Sequence, residues 1–387
     1  MQKMISRIAQ QTLQELARTF KVVALTGPRQ SGKTTLARYY FQDKRYVSLE
    51  NPDEQAFALN DPRGFLKQFP DGAILDEVQR VPHLFSYIQQ IVDEDSRKAL
   101  FVLSGSNNFL LQQSITQSLA GRVGYLELLP FCYDEITSIP DSNYSTDDFL
   151  FLGGYPSIIY EQANPQLWFS AYVRTYIERD VRQLKNIKDL AQFQRFLYLC
   201  AGRIGQQINF SQLGNEIGAD HNTVSSWLSI LQASYVIHLV QPYYQNFNKR
   251  IVKTPKLYFY DTGLACFLLG IRQAGDLTYH AYRGALFENL VINELLKNRF
   301  NRSQLSNLYY FRDSTGNEVD VIIDEGSTLK AIELKAGSTA SGSFFKNLYY
   351  WQRLTGQTNG TVLYDGHIDT LDQGEFTLQN WRVVRSL

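Results

Sequence analysis

The residues of this chain best suited to chemistry are Gly27, Pro28, Arg29, Gln30, Ser31, Gly32, Lys33, Thr34 and Thr35. Glycines at both ends of the run let the backbone curl until successive N–H groups face one anion, and a following helix adds its positive end. Lys33 can reach β- and γ-phosphates, and the Thr34 hydroxyl can ligate magnesium. The context agrees. Val22-Val23-Ala24-Leu25 reads as a buried strand entering the loop, and Thr35 to Tyr40 as the helix leaving it. These residues spell a phosphate-binding loop, with residues 27–35 holding a nucleotide.

A second run, Gly72-Ala73-Ile74-Leu75-Asp76-Glu77-Val78, is an apolar strand ending in two carboxylates. Asp76 at the strand tip is placed to hold magnesium, directly or through water, and Glu77 to orient or deprotonate the attacking water. A third apolar run, Ala99 to Leu103, ends in Ser104-Gly105-Ser106-Asn107. Ligands of parallel sheets gather at the carboxyl ends of strands, so this polar cluster can touch the γ-phosphate or serve only as a turn.

The C-terminal third holds a separate constellation. Glu288 lies on an amphipathic helix beginning at Ala285. Asp320 lies in the strand Glu318 to Ile323, and Glu333 and Lys335 in the strand Lys330 to Ala336. Asp320 and Glu333 can hold a divalent metal. Lys335, two residues on and so on the same face as Glu333, can position or activate water, and Glu288 can complete the shell. The set resembles the PD-(D/E)xK restriction-endonuclease-like core. Chance alone supplies such spacing in a chain this long, and its weight comes from charges set within apolar strands, where idle ones would be costly. Metal-dependent cleavage and a retained fold used only for binding both remain open.

The order of the Gly-Pro-Arg-Gln-Ser-Gly-Lys-Thr-Thr loop, the Leu-Asp-Glu strand and the Leu-Ser-Gly-Ser strand resembles the AAA+ ATPases. More narrowly, it resembles bacterial and archaeal AAA+ proteins with a C-terminal domain of unknown function. Leu119-Ala120-Gly121-Arg122, Gly153-Gly154-Tyr155-Pro156, Tyr176-Ile177-Glu178-Arg179-Asp180 and Tyr260-Asp261-Thr262-Gly263-Leu264 extend the likeness over nearly the whole chain. The resemblance implies ATP and Mg2+ as cofactors, a γ-phosphate sensor at Ser104 to Asn107, and Arg122 as an arginine finger or sensor. Read from its surroundings alone, Arg122 is equally a helix C-cap or a partner of Glu127.

Between these regions, Phe210 to Gly218 and His221 to Leu231 read as the two helices of a helix-turn-helix, with Val236 to Val240 and Lys256 to Tyr260 as strands of a wing. The second helix opens with His221, Asn222, Thr223, Ser225 and Ser226, which are polar but uncharged. Lys249, Arg250, Lys253 and Lys256 are the nearest cations, and contact with DNA or with a protein are both open. Acidic and basic residues balance at 38 each, so the chain as a whole does not attract nucleic acid. The three cysteines, Cys132, Cys200 and Cys266, fit no metal or redox spacing and read as packing residues of a reducing compartment. No apolar run spans a membrane and no signal-peptide core opens the chain, so a cytoplasmic location is expected.

The expected fold is α/β: an N-terminal helix (1–20), a P-loop AAA+ parallel sheet (21–135), a helical lid (136–200), a winged helix (201–265) and a PD-(D/E)xK-like α/β domain (266–387). Within it, hydrolysis controls the winged helix and a nuclease-like module, or switches binding of a DNA or protein partner. Oligomerisation is left open.

Overall fold

The computed structural model describes residues 5–106, 111, 115, 117–140, 142–177, 190–244, 253–368 and 370–387. They form two compact units. The first comprises residues up to Ile139 with Ala233–Tyr235 and Arg299–Gln304, and the second the remainder.

The first unit is built on a sheet of β1 (Val22–Thr26), β2 (Arg45–Ser48), β3 (Ala73–Asp76), β4 (Phe101–Ser104) and β5 (Val123–Glu127), in the order β2-β3-β4-β1-β5. Every neighbouring pair is parallel. β1, β3 and β4 are buried throughout, as central strands covered on both faces must be. β1 feeds two cores by alternation. Val22 and Ala24 join Phe85, Ile88 and Val92 of one helix (Leu84–Glu94), while Val23 and Leu25 join Leu13 of α1 (Ala9–Thr19) and Leu36 of α2 (Lys33–Tyr40). Because all strands run the same way, the segments after β1, β3 and β4 collect at one edge.

The second unit carries an eight-stranded sheet in the order β12-β13-β11-β10-β9-β8-β6-β7. Its strands are β6 (Ile237–Pro242), β7 (Lys256–Phe259), β8 (Leu308–Arg312), β9 (Glu318–Asp324), β10 (Leu329–Lys335), β11 (Gly360–Tyr364), β12 (Thr370–Gln373) and β13 (Phe376–Asn380). β8, β9 and β10 form an antiparallel meander, and β11 returns parallel to β10. The helix Lys346–Thr355 makes that crossover and buries Leu348 and Trp351 against the sheet. The two helices expected at 210–231 are present as Phe210–Ile217, stopped by Gly218 in the left-handed region, and His221–Ala233.

The boundaries expected at 200 and 265 do not separate compact units. The hairpin β6–β7 expected as a wing continues into the C-terminal sheet through Gln241 and Pro242, which pair with Tyr309 and Tyr310 of β8. Residues 140–232, expected in part as a lid, belong to the same unit as that sheet. All three cysteines are buried, and burial pushes the Cys200 and Cys266 thiols up, as packing residues require.

Two motifs noted in the sequence meet inside this unit. Asp261 accepts from Leu264 N at 3.0 Å, capping the helix Thr262–Leu268, and from Gly154 N at 2.8 Å. Gly153 has φ +68°, and a Cβ there would lie 2.2 Å from Asp261 Oδ1. Gly153→Ala is therefore expected to lower stability by about 1–3 kcal/mol, read as a fall in the denaturation midpoint at unchanged slope. A midpoint equal to wild type would contradict this packing.

Candidate functional site

The phosphate loop closes the β1-to-α2 connection. Gly27 has φ +135°, and a Cβ on it would lie 2.3 Å from Leu128 O, while Gly32 has φ +94° at the start of α2. Both positions need glycine for the loop to form. Lys33 Nζ folds back onto the loop, donating to Gly27 O at 3.0 Å and Pro28 O at 2.6 Å. Burial lowers the Lys33 pKa to about 8, against the opposing pull of Glu77 and Asp76. Arg29 lies on the loop's flank, 3.9 Å from Glu50, which also accepts from Arg80 at 3.0 Å.

Asp76 ends β3 within reach of the loop. Its Oδ2 accepts from Thr34 Oγ1 at 2.9 Å and Tyr46 OH at 2.8 Å, and its Oδ1 from Ser104 Oγ at 2.6 Å. Glu77 stands at φ +54°, the left-handed region, which turns its side chain away from the strand direction. Its Oε2 accepts from Gln79 Nε2 at 2.6 Å and Ser106 Oγ at 3.2 Å. Ser104 and Ser106 thus hold the two carboxylates. Asn107 lies outside the described residues.

A hydroxyl and a carboxylate converge at the loop, Thr34 and Asp76, and hard oxygen donors of this kind suit magnesium with water completing its shell. The residues fit that ion. Beneath the loop, Arg7 donates to Ser31 O at 2.8 Å, Leu129 O at 2.6 Å and Glu135 Oε1 at 3.0 Å, a buried clasp from the N-terminal segment.

Arg122 does not join this site. Its carbonyl accepts from Val22 N, so it precedes β5 at the amino edge of the sheet, whereas the loop leaves β1 at the carboxyl edge. Five residues of strand intervene, roughly 16 Å at strand rise, which excludes action on its own loop's phosphates. The guanidinium is paired with Asp93 at 3.0 Å. Glu127, the other expected partner, accepts from Tyr235 OH at 2.8 Å, and the same hydroxyl lies 3.2 Å from Thr26 Oγ1, just before the loop.

In the second unit the register pairs Val321 with Ile332, setting Asp320 opposite Glu333. Asp320 Oδ2 accepts from Leu334 N at 2.8 Å. Glu333 is fully buried; its Oε2 accepts from Lys335 Nζ at 2.7 Å, the Asn347 side chain lies near enough to act on the carboxylate, and Oε1 has no hydrogen bond of good geometry. Burial and Asp320 hold the Glu333 carboxyl well above its usual range, with Lys335 opposing.

Glu288, expected in the metal shell, is held at one of its oxygens. Its Oε1 accepts from Lys256 Nζ at 3.0 Å and Tyr258 OH at 2.5 Å. Lys256, expected as a wing cation, is buried and also pairs with Glu318. Burial alone would weaken its hold on the proton, but Glu288, Asp320 and Glu318 outweigh that and keep it charged. Among the described residues no three acidic, histidine or cysteine side chains are grouped to hold a metal. Asp320 and Glu333 form a two-carboxylate set, enough for an ion that keeps several waters, and the Glu333 oxygen without a well-formed hydrogen bond fits one. Lys249, Arg250 and residues 178–182 lie outside the described residues; Lys253 is exposed, with its ammonium 5.5 Å from the Tyr244 ring centroid.

Comparison with known proteins adds three family matches: an AAA domain over residues 19–137, and two domains of unknown function, DUF8612 over 143–275 and DUF4143 over 283–381. Proteins of Mycobacterium tuberculosis (Rv2008c) and Mycobacterium bovis (Mb2031c), both named as uncharacterized, are each 32% identical over 325 residues, 83% of this chain and 71% of theirs. The chain belongs to their family, and to the AAA-type P-loop ATPases. Among solved structures, a Walker-type ATPase of Pyrococcus abyssi aligns over 68% of this chain and 96% of its own at 13% identity, with a TM-score of 0.46. No described helix of this ATPase is long and apolar enough to cross a membrane.

Proposed function

We propose that this ATPase hydrolyses ATP with magnesium held by Thr34 and Asp76, and that its nucleotide cycle controls a metal-dependent, nuclease-like site in the second unit. When bound, magnesium would screen the phosphate charge. Lys33 would swing from the Gly27 and Pro28 carbonyls to the β- and γ-phosphates, exchanging two neutral acceptors for anionic ones. Glu77, with one oxygen held by Gln79 and Ser106, would present the other to the attacking water. Arg122, remote from its own loop, would serve a nucleotide only in a neighbouring copy of the chain.

The observation that carries the nuclease-like reading is the Glu333 oxygen without a well-formed hydrogen bond beside Asp320, on adjacent strands of a helix–meander–helix–strand arrangement. Bound there, a divalent ion would supply a polarised water; Lys335 would hold Glu333 and orient that water. A second reading is favoured by Lys256. Its ammonium already neutralises Glu288 and Glu318 from within, which suits a catalytically silent domain that binds a protein or DNA partner. The start of the helix His221–Ala233, free of Arg and Lys, gives DNA little to grip and leans toward a protein.

Cleavage of single- and double-stranded DNA and RNA, with Mg2+ or Mn2+ and with or without ATP, separates the two. Asp320→Ala should abolish cleavage, and Lys33→Ala should remove its response to ATP. ATP hydrolysis with no cleavage of any substrate would leave the partner-binding switch as the function.

A further inference from the structure

We infer that Tyr46 is a positioning residue for Asp76, fixing the carboxylate that meets magnesium in the nucleotide site. The inference rests on the magnesium reading above and goes beyond it by assigning a residue outside both sequence signatures. Tyr46 lies on the edge strand β2, where it pairs in register with Ile74, two residues before Asp76 on β3. Side chains at Ile74 and Asp76 share a face, so the Tyr46 ring extends along that face and ends with its hydroxyl 2.8 Å from Asp76 Oδ2. The ring is held from the other side by α2, with the Arg38 guanidinium 5.0 Å from its centroid.

Four donors reach Asp76: Tyr46 OH and Thr34 Oγ1 on Oδ2, Ser104 Oγ and Glu77 N on Oδ1. Their fates on ion binding differ. The Thr34 hydroxyl would offer a lone pair to the cation, so it can keep its bond to Asp76 only with its proton turned away from the ion. Tyr46 and Ser104 have no such conflict, because each occupies a different oxygen and neither is needed as a ligand. They fix the carboxylate plane from both ends, as outer partners of a metal-binding carboxylate do, and loss of such a partner typically weakens metal affinity about 10- to 100-fold. Ser104 is buried and its distance to Oδ1 is 2.6 Å; Tyr46 holds the other oxygen.

Tyr46→Phe keeps the ring, its contact with Arg38 and the strand pairing, and deletes only the hydroxyl. The probe is a fluorescent ATP analogue titrated onto the full chain, first in EDTA and then at fixed nucleotide with increasing Mg2+. The expected result is unchanged affinity in EDTA, an unchanged melting temperature, and a Mg2+ midpoint raised about tenfold. Ser104→Ala should raise the midpoint in the same way, and the double variant should exceed either single one. A Mg2+ midpoint equal to wild type in Tyr46→Phe would overturn the inference, as would an equal loss of affinity with and without the ion. Failure of wild type to bind the analogue at all would instead remove the nucleotide-site reading on which it stands.

Discussion

Glu77→Gln is expected to lower kcat for ATP hydrolysis about 10²- to 10⁴-fold, the range lost with a positioned general base, while leaving the ATP Kd within about twofold of wild type. Glutamine has the size of glutamate and can still engage Gln79 and Ser106, which hold Oε2 at 2.6 and 3.2 Å. It cannot accept the proton of the attacking water. Ground-state contacts to the phosphates come from the loop, so binding should persist. Stopped-flow binding and single-turnover hydrolysis separate the two quantities. A kcat unchanged in Glu77→Gln would remove Glu77 from the chemistry.

The second large effect concerns Lys33. Its ammonium is buried against two backbone carbonyls, and its pKa is lowered to about 8. A triphosphate favours the charged form, so binding raises that pKa and takes up a proton wherever the free lysine is neutral. The sign follows. ATP affinity is at its full value below about pH 8 and falls as pH rises beyond it, by up to about tenfold per unit. Calorimetric titration between about pH 7.5 and 9.5, in buffers of differing ionisation enthalpy, reads both the slope and the proton uptake. Lys33→Met should bind about 10- to 100-fold more weakly at the lower pH, the worth of charge-assisted bonds, and should show neither slope nor uptake. Wild-type affinity that stays flat across this range would contradict the burial of Lys33.

The legible parts of this protein are those in which chemistry is local. Residues 27–35 carry their own turn, their own helix start and their own ligands, so strand, loop and helix follow from consecutive residues. Asp76 and Glu77 are readable for the same reason, as carboxylates ending an apolar strand. Tyr46, Gln79 and Arg7 escaped because their roles arise from tertiary pairing. Tyr46 looks like any strand aromatic until β2 is laid beside β3, and Arg7 lies 24 residues before the carbonyl it grips.

Arg122 shows a different limit. An arginine after a small-residue turn has the right chemistry for a phosphate, but only the parallel register of β5 with β1 reveals that its turn lies at the far edge of the sheet. Lys256 shows the same limit through its strand. As part of a free-standing wing it would face solvent, whereas the joining of β6 to β8 brings β7 into the sheet, where Glu318 of β9 and Glu288 of the helix Arg283–Phe300 both pair with it. The same event brings Lys256 onto Glu288. In each case the residue type was informative and the partner was not, because partners here come from elements far apart in sequence.

The most direct test of the account is release of phosphate from ATP by the whole wild-type chain, with Mg2+ and with EDTA, beside Glu77→Gln and Lys33→Met. Turnover should require Mg2+, be lost in Glu77→Gln while ATP still binds, and be lost together with binding in Lys33→Met. Phosphate release that persists in both variants, or that is indifferent to Mg2+, would contradict it.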